Sequence, residues 1–267
     1  MASNTLTQRE LAASVDDLKD TETLVDPPEP TSRAGSLLQT LFSPGTFTPV
    51  TLPTLPHGDN VLLVIPTANA HKTRMLVAGF AQQNEARGAA ASGVQVHAHT
   101  VVASSGVGEQ PYDDAGVQGA RGRINNALRA LAADAETTRA LLAENRIGTV
   151  FVAAIENYID TGAGADMTTT DANPRPTDYA VVVVHNATTG QSAAGLSGGT
   201  TVPRRYFDYA RRLGFDDAAA KHGKVTVGEV LAPNVPGIDK ANWHIVVAGK
   251  SRYDLIAEAI ERLQIPW

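Results

Sequence analysis

From Val61 onward, short uninterrupted apolar runs alternate with longer stretches in which apolar residues return every three or four positions. Val61-Leu-Leu-Val-Ile65 and Val150-Phe-Val-Ala-Ala-Ile155 lack polar alternation, which is the pattern of strands covered on both faces. The spacing predicts a strand over 61–66, a helix over 70–88, a strand over 94–102, a helix over 115–144 that a break could interrupt, and a strand over 148–155. Tyr179-Ala-Val-Val-Val-Val-His185 and Gln191-Ser-Ala-Ala-Gly-Leu-Ser197 flank Asn186-Ala-Thr-Thr-Gly190, whose glycine-ended turn predicts an antiparallel hairpin. Helical spacing returns over 203–213, and Trp243-His-Ile-Val-Val247 reads as a final strand. A last helix follows, with Ser251 as its cap and Leu255, Ala259 and Leu263 on one face. Strands alternating with helices predict an α/β fold, a sheet with helices packed on its faces.

Residues 1–56 differ. They carry little periodic hydrophobicity and are punctuated by Asp26-Pro-Pro-Glu-Pro30 and by Pro49 to Pro56, so a flexible or surface-draped arm is expected before a domain over 57–267. Within the arm, Ser36-Leu-Leu-Gln-Thr-Leu-Phe42 has the spacing of a short covering helix. Asp160 to Thr177 is rich in Gly, Asp, Thr, Asn and Pro, and is long enough to form a lid or a surface excursion rather than a mere connection.

Composition narrows the function classes. The 267-residue chain has a net charge of −6, which argues against binding a nucleic-acid polymer but is compatible with a small anion. With no cysteine, disulfides, thiolate nucleophiles and cysteine zinc sites are excluded. No run reaches the roughly 20 apolar residues of a membrane span. The acidic N-terminal stretch, with Glu10, Asp16, Asp17, Asp20, Glu22 and Asp26, is unlike a presequence, so a soluble, cytoplasmic protein is expected.

Two junctions carry the candidate chemistry. Ser105-Gly-Val-Gly-Glu-Gln-Pro111 leads into the helix beyond Asp113 and Asp114, and Val61–Ile65 leads into a helix opened by Asn69, His71, Lys72 and Arg74. Helix N-termini favour anions through exposed amides and the helix dipole. Lys72 would oppose phosphate charge, and His71 would be either a proton shuttle or a surface neighbour. Asp113 and Asp114 read equally as metal ligands or as the cap and first-turn acid of their helix. Arg121 and Arg123 could reach a bound anion, and Glu156 ends a strand where sheet crevices form. Lys250, Ser251 and Arg252 form a third strand-to-helix junction. His97 and His99 share one strand face, a pattern more often structural than metal-binding.

Taken in order, Thr67-Ala-Asn-Ala-His-Lys72, Ser105-Gly-Val-Gly-Glu-Gln-Pro111, Gln118-Gly-Ala-Arg-Gly-Arg123, Ile155-Glu156 and Gly249-Lys-Ser-Arg252 resemble the inosine/xanthosine triphosphatases and their proline-rich coiled-coil relatives. The resemblance spans roughly residues 61–263. It implies a twisted mixed sheet, a two-lobed architecture with a nucleotide cleft, Mg2+ at the phosphates, a small anionic substrate and a homodimer. Asn69, Lys72, Gln118, Arg121, Arg123, Tyr158, Lys250 and Arg252 would then contact substrate. Asp113 and Asp114 would hold Mg2+, and Glu156, Asp114 and His71 would act on water or protons. Two positions depart from the family. Ala115 stands where an acid is usual, and Asn157-Tyr158 replaces a glycine pair. The expected activity is hydrolysis of non-canonical purine nucleoside triphosphates. The alternatives are a metal-independent enzyme for a small anionic or carbonyl-bearing metabolite, with Tyr158 shaping its pocket, and a non-catalytic binding protein.

Overall fold

In the computed structural model, which describes residues 11–18, 24–28, 33–43, 45–53, 58–162, 175–215 and 222–267, the apolar runs become the centre of a mixed seven-stranded sheet. Its strands are β1 (Leu24–Val25), β2 (Asn60–Ile65), β3 (Val96–Thr100), β5 (Ile147–Asp160), β6 (Thr177–Asn186), β7 (Ser192–Leu196) and β8 (Gly199–Thr201). They run in the order β1-β8-β6-β5-β2-β3, with β7 paired to β6. A small second sheet joins β4 (Gln110–Pro111) to β9 (His222–Gly223). β2 is parallel to both β3 and β5, whereas β5, β6 and β7 run antiparallel as the hairpin turn predicts.

The helices are α1 (Arg33–Gln39), α2 (Ala70–Ala86), α3 (Asp114–Ala133), α4 (Ala135–Glu144), α5 (Arg204–Gly214), α6 (Val227–Asn234), α7 (His244–Ala248) and α8 (Arg252–Arg262). The break in the long predicted helix falls at Asp134, whose side chain caps α4 by accepting from the Thr137 amide. Side-chain alternation sorts the central strands between two layers. Val152, Ala154, Val181 and Val183 face α3, while Ala153, Ile155, Val182 and Val184 face α2 and α8. Burying both faces explains the absence of polar alternation, and each buried Val or Ile among them contributes about 1.5–3 kcal/mol.

β5 extends beyond its predicted end at 155, through Glu156 to Asp160, and β6 pairs with it along this whole extension. The strand pair therefore projects past the ends of β2 and β3, with Glu156 on the α3 side and Asp178 three positions before Val181, the partner of Glu156, on the opposite side. Beyond it lies a third apolar cluster, built by Tyr112, Ile159, Tyr206, Phe207, Leu231 and Trp243 with their neighbours.

One expectation needs correction. Trp243–Val247 is the helix α7, not a strand: Trp243, His244 and Val247 are buried while Ile245 is exposed, a helical rather than alternating arrangement, and Gly249 ends the turn at φ 71°. β-branched propensity yields here to tertiary packing. The described residues of the expected arm lie against the body through scattered rather than periodic anchors: Leu11 and Leu18 belong to the third cluster, Leu41 and Phe47 to the α3 layer, and β1 pairs with β8. The predicted lid falls mostly on residues 163–174, outside the described residues.

Candidate functional site

Sequence-distant segments meet in a cleft of about 500 Å³ at the projecting end of β5 and β6. One wall is the 104–110 loop, the floor carries Glu156, Asn157 and Asp178, and the opposite wall comes from 226–229 and 240–243. Lys72, Arg123 and Arg252 bring the charged side chains of three helices to it, beside the Asn69 cap.

Asn69 caps α2, its Oδ1 accepting from the amides of His71 and Lys72 at 2.9 and 3.1 Å. That fixes the first turn, from which Lys72 crosses to β5 and donates Nζ to the Ile155 carbonyl at 2.9 Å. Burial lowers the Lys72 pKa to about 8, against the opposing pull of Glu156. Arg123 leaves α3 to bridge the strand and the loop. Its Nε donates to Glu156 Oε2 at 2.5 Å and its Nη1 to the Ala103 carbonyl at 2.8 Å. Arg252, the first residue of α8, donates its amide to Asn242 Oδ1 at 3.0 Å and Nη2 to the Ala241 carbonyl at 2.6 Å.

Lys72 and Arg252 thus spend their hydrogen bonds on backbone carbonyls, and among the described residues neither is held in an ion pair. They are positioned yet not neutralised by a direct carboxylate partner. The amides behave differently from expectation. Asn69 occupies two amides of the first turn of α2, while Ser104 and Ser105 hydroxyls accept from the Gly106 and Val107 amides. The polar groups left to face the cleft from these two junctions are therefore mainly side chains.

A second buried pair completes the cleft. His244 Nε2 lies 2.6 Å from Asp178 Oδ2, with the two side chains 1% and 7% exposed. Burial lowers the His244 pKa, opposed by its hydrogen bond to Asp178, so the imidazole is neutral and Nε2 carries the proton given to the carboxylate. Asp178 Oδ1 and His244 Nδ1 are buried without a hydrogen-bond partner among the described residues.

Of the residues singled out from sequence, Asn69, Lys72, Arg123, Glu156 and Arg252 converge on this cleft, and the others do not. Asp113 accepts from the amide and hydroxyl of Thr161, and Asp114 from Gln118 Nε2 at 2.8 Å; none of these four residues lines the cleft. The aspartate pair does not fit a magnesium site serving it, and among the described residues no group of three or more His, Asp or Glu has metal-holding geometry. Arg121 points from an exposed position on α3. His71 stacks on Tyr253 in a separate groove, and Lys250 pairs with Glu258. Tyr158 is 1% exposed and packs in the α3 layer, so it shapes core rather than pocket.

Sequence reading missed Asp178 and His244. An acid opening an otherwise apolar strand was the available signal for Asp178. His244 was hidden by the misread strand.

No family model matches the chain, and no curated protein matches it. Among solved structures the chain is similar to the crystal structure of protein VC0702 from Vibrio cholerae, at 15% identity over 75% of this chain and 90% of that one, with a TM-score of 0.49. It is also similar to the PelC dodecamer from Paraburkholderia phytofirmans, at 14% identity over 81% and 95% of the two chains, with a TM-score of 0.24. Neither likeness bears on a ligand or a reaction.

Proposed function

We propose that the cleft binds a phosphate-bearing small anion and hydrolyses it, with non-canonical purine nucleoside triphosphates as the substrate class. The observation that carries this reading is the pair Lys72 and Arg252, held in place by carbonyls beside the Arg123–Glu156 pair, with no carboxylate among the described residues closing on either. The substrate class comes from the motif order in the sequence, and the convergence of Asn69, Lys72, Arg123, Glu156 and Arg252 supports it. In this reading Lys72 and Arg252 oppose phosphate charge, which is worth more in a half-closed cleft than in water. Arg123 fixes one oxygen of Glu156 and leaves the other to orient water. Magnesium arriving with a triphosphate would bring its own phosphate and water ligands, since Asp113 and Asp114 lie elsewhere.

That displacement of the aspartates favours a second reading, a metal-independent enzyme for a small anion in the same cleft. One experiment separates them: purified protein is given inosine or xanthosine triphosphate, with magnesium or with chelator, and phosphate and pyrophosphate are measured. The expected result is release by the wild type, reduced about 100-fold or more in Lys72→Ala, which removes a preorganised charge. Release that persists in chelator moves the account to the second reading. Absence of release above the Lys72→Ala level under every condition removes the hydrolase.

A further inference from the structure

The geometry points to Asp178, oriented by His244, as the group that takes the proton from the attacking water in this cleft. The inference rests on the hydrolase reading above and assigns a role that the sequence motifs leave to Glu156.

The two cleft carboxylates are not equivalent. Glu156 is committed through Oε2 to the Arg123 guanidinium at 2.5 Å, which ties up that oxygen in an ion pair. Asp178 is held differently. Asp178 lines the cleft, its Oδ2 lies 2.6 Å from His244 Nε2, and its Oδ1 is buried with no hydrogen-bond partner among the described residues. A carboxylate oxygen left unpaired in a low-dielectric site is costly, so the working molecule must bring a donor to it. A water or a substrate hydroxyl is the donor the cleft admits. The same His244 contact that holds Oδ2 restricts rotation of the carboxylate and so fixes the position of Oδ1.

Other charges around Asp178 set the rest of the step. Lys72 and Arg252 are close enough to act electrostatically in the same cluster, and Lys72 also senses Asp178 and Glu156. As the water oxygen bonds to phosphorus, its proton passes to Asp178 Oδ1. The bridging P–O bond breaks and its electron pair leaves with the departing phosphate, whose charge Lys72 and Arg252 oppose. Asp178 then returns the proton to solvent. Atoms and charge balance without a further reactant.

The test compares wild type with Asp178→Asn, His244→Leu and His244→Gln, measuring kcat and KM for inosine triphosphate hydrolysis, and calorimetric binding of its non-hydrolysable imido analogue. Asp178→Asn is expected to lower kcat about 100-fold or more, the usual contribution of a positioned base, with analogue binding retained. His244→Leu is expected to lower kcat about 10-fold or more with little change in KM, and His244→Gln, whose amide N–H can replace the imidazole donor, to recover most of it. Asp178→Asn keeping wild-type kcat overturns the assignment. So does equal loss in His244→Leu and His244→Gln, because a purely packing role would make both fail alike. Loss of analogue binding in parallel with kcat in a folded Asp178→Asn protein also overturns it, making Asp178 a binding group. A wild type that binds the analogue but releases nothing removes the hydrolase reading and this assignment together, whereas an active Asp178→Asn removes the assignment alone.

Discussion

Lys72 carries the electrostatic argument at the residue scale because burial has moved its titration into an accessible range. Its pKa is lowered to about 8 from the usual 10.5, so the free cleft holds a charged Lys72 at neutral pH and loses that charge as pH rises through about 8. The sign for stability is the reverse of an ion-pair lysine. Between about 8 and 10.5 the unfolded chain keeps a proton that the folded one has released, so the burial penalty is present below about 8 and fades as pH climbs. Anion turnover and fold stability should therefore move in opposite directions above pH 8. A pH series of kcat/KM should show an alkaline limb near 8 that Lys72→Arg shifts upward or removes, since arginine stays charged. The position of Lys72 after a strand was legible in the sequence through its strand-to-helix junction. Asp178 was not, because what matters there is a contact with His244 made 66 residues later in the chain.

At the scale of elements, the glycines of α3 set the cleft geometry. Gly116, Gly119 and Gly122 recur at helical spacing, and a β-carbon on each would overlap Tyr158, Val107 and the Ser105 carbonyl respectively. The sequence reading took Gln118-Gly-Ala-Arg-Gly-Arg123 as a ligand motif, whereas the glycines serve close approach of helix to strand and loop, which brings Arg123 to Glu156 and Ala103. Gly122 is the most demanding, because the obstructing atom is backbone that cannot rotate away. Alanine there would gain about 1 kcal/mol of helix propensity and lose about 1–3 kcal/mol to overpacking. Gly122→Ala should therefore give a net destabilisation of up to about 2 kcal/mol in chemical denaturation and weaken anion binding with it; a variant more stable than wild type would show that α3 does not press on the loop.

Over the whole molecule, the sheet and its flanking helices were readable because two-faced burial writes continuous apolar runs and amphipathic helices into the sequence. The cleft was readable only by half. Its α2, α3 and β5 residues sit at element ends that pattern reveals, but its far wall comes from 226–229 and 240–243, segments whose place depends on the third apolar cluster. Gln110 shows the dependence: its Oε1 accepts from the Val227 amide at 3.3 Å, tying the glycine-rich loop to the opposite wall. The N-terminal anchors depend on the same kind of contact, since Leu11 and Phe47 gain meaning only from the surfaces they cover.

The central claim is that Lys72 and Arg252 face a phosphate-bearing anion together. Calorimetric titration of the imido analogue of inosine triphosphate at pH 7 tests it most directly. The account predicts saturable binding to the wild type, about 10-fold or greater loss in each of Lys72→Ala and Arg252→Ala, and weakening as salt rises. Undetectable binding to the wild type, or binding unchanged in both variants, would contradict it.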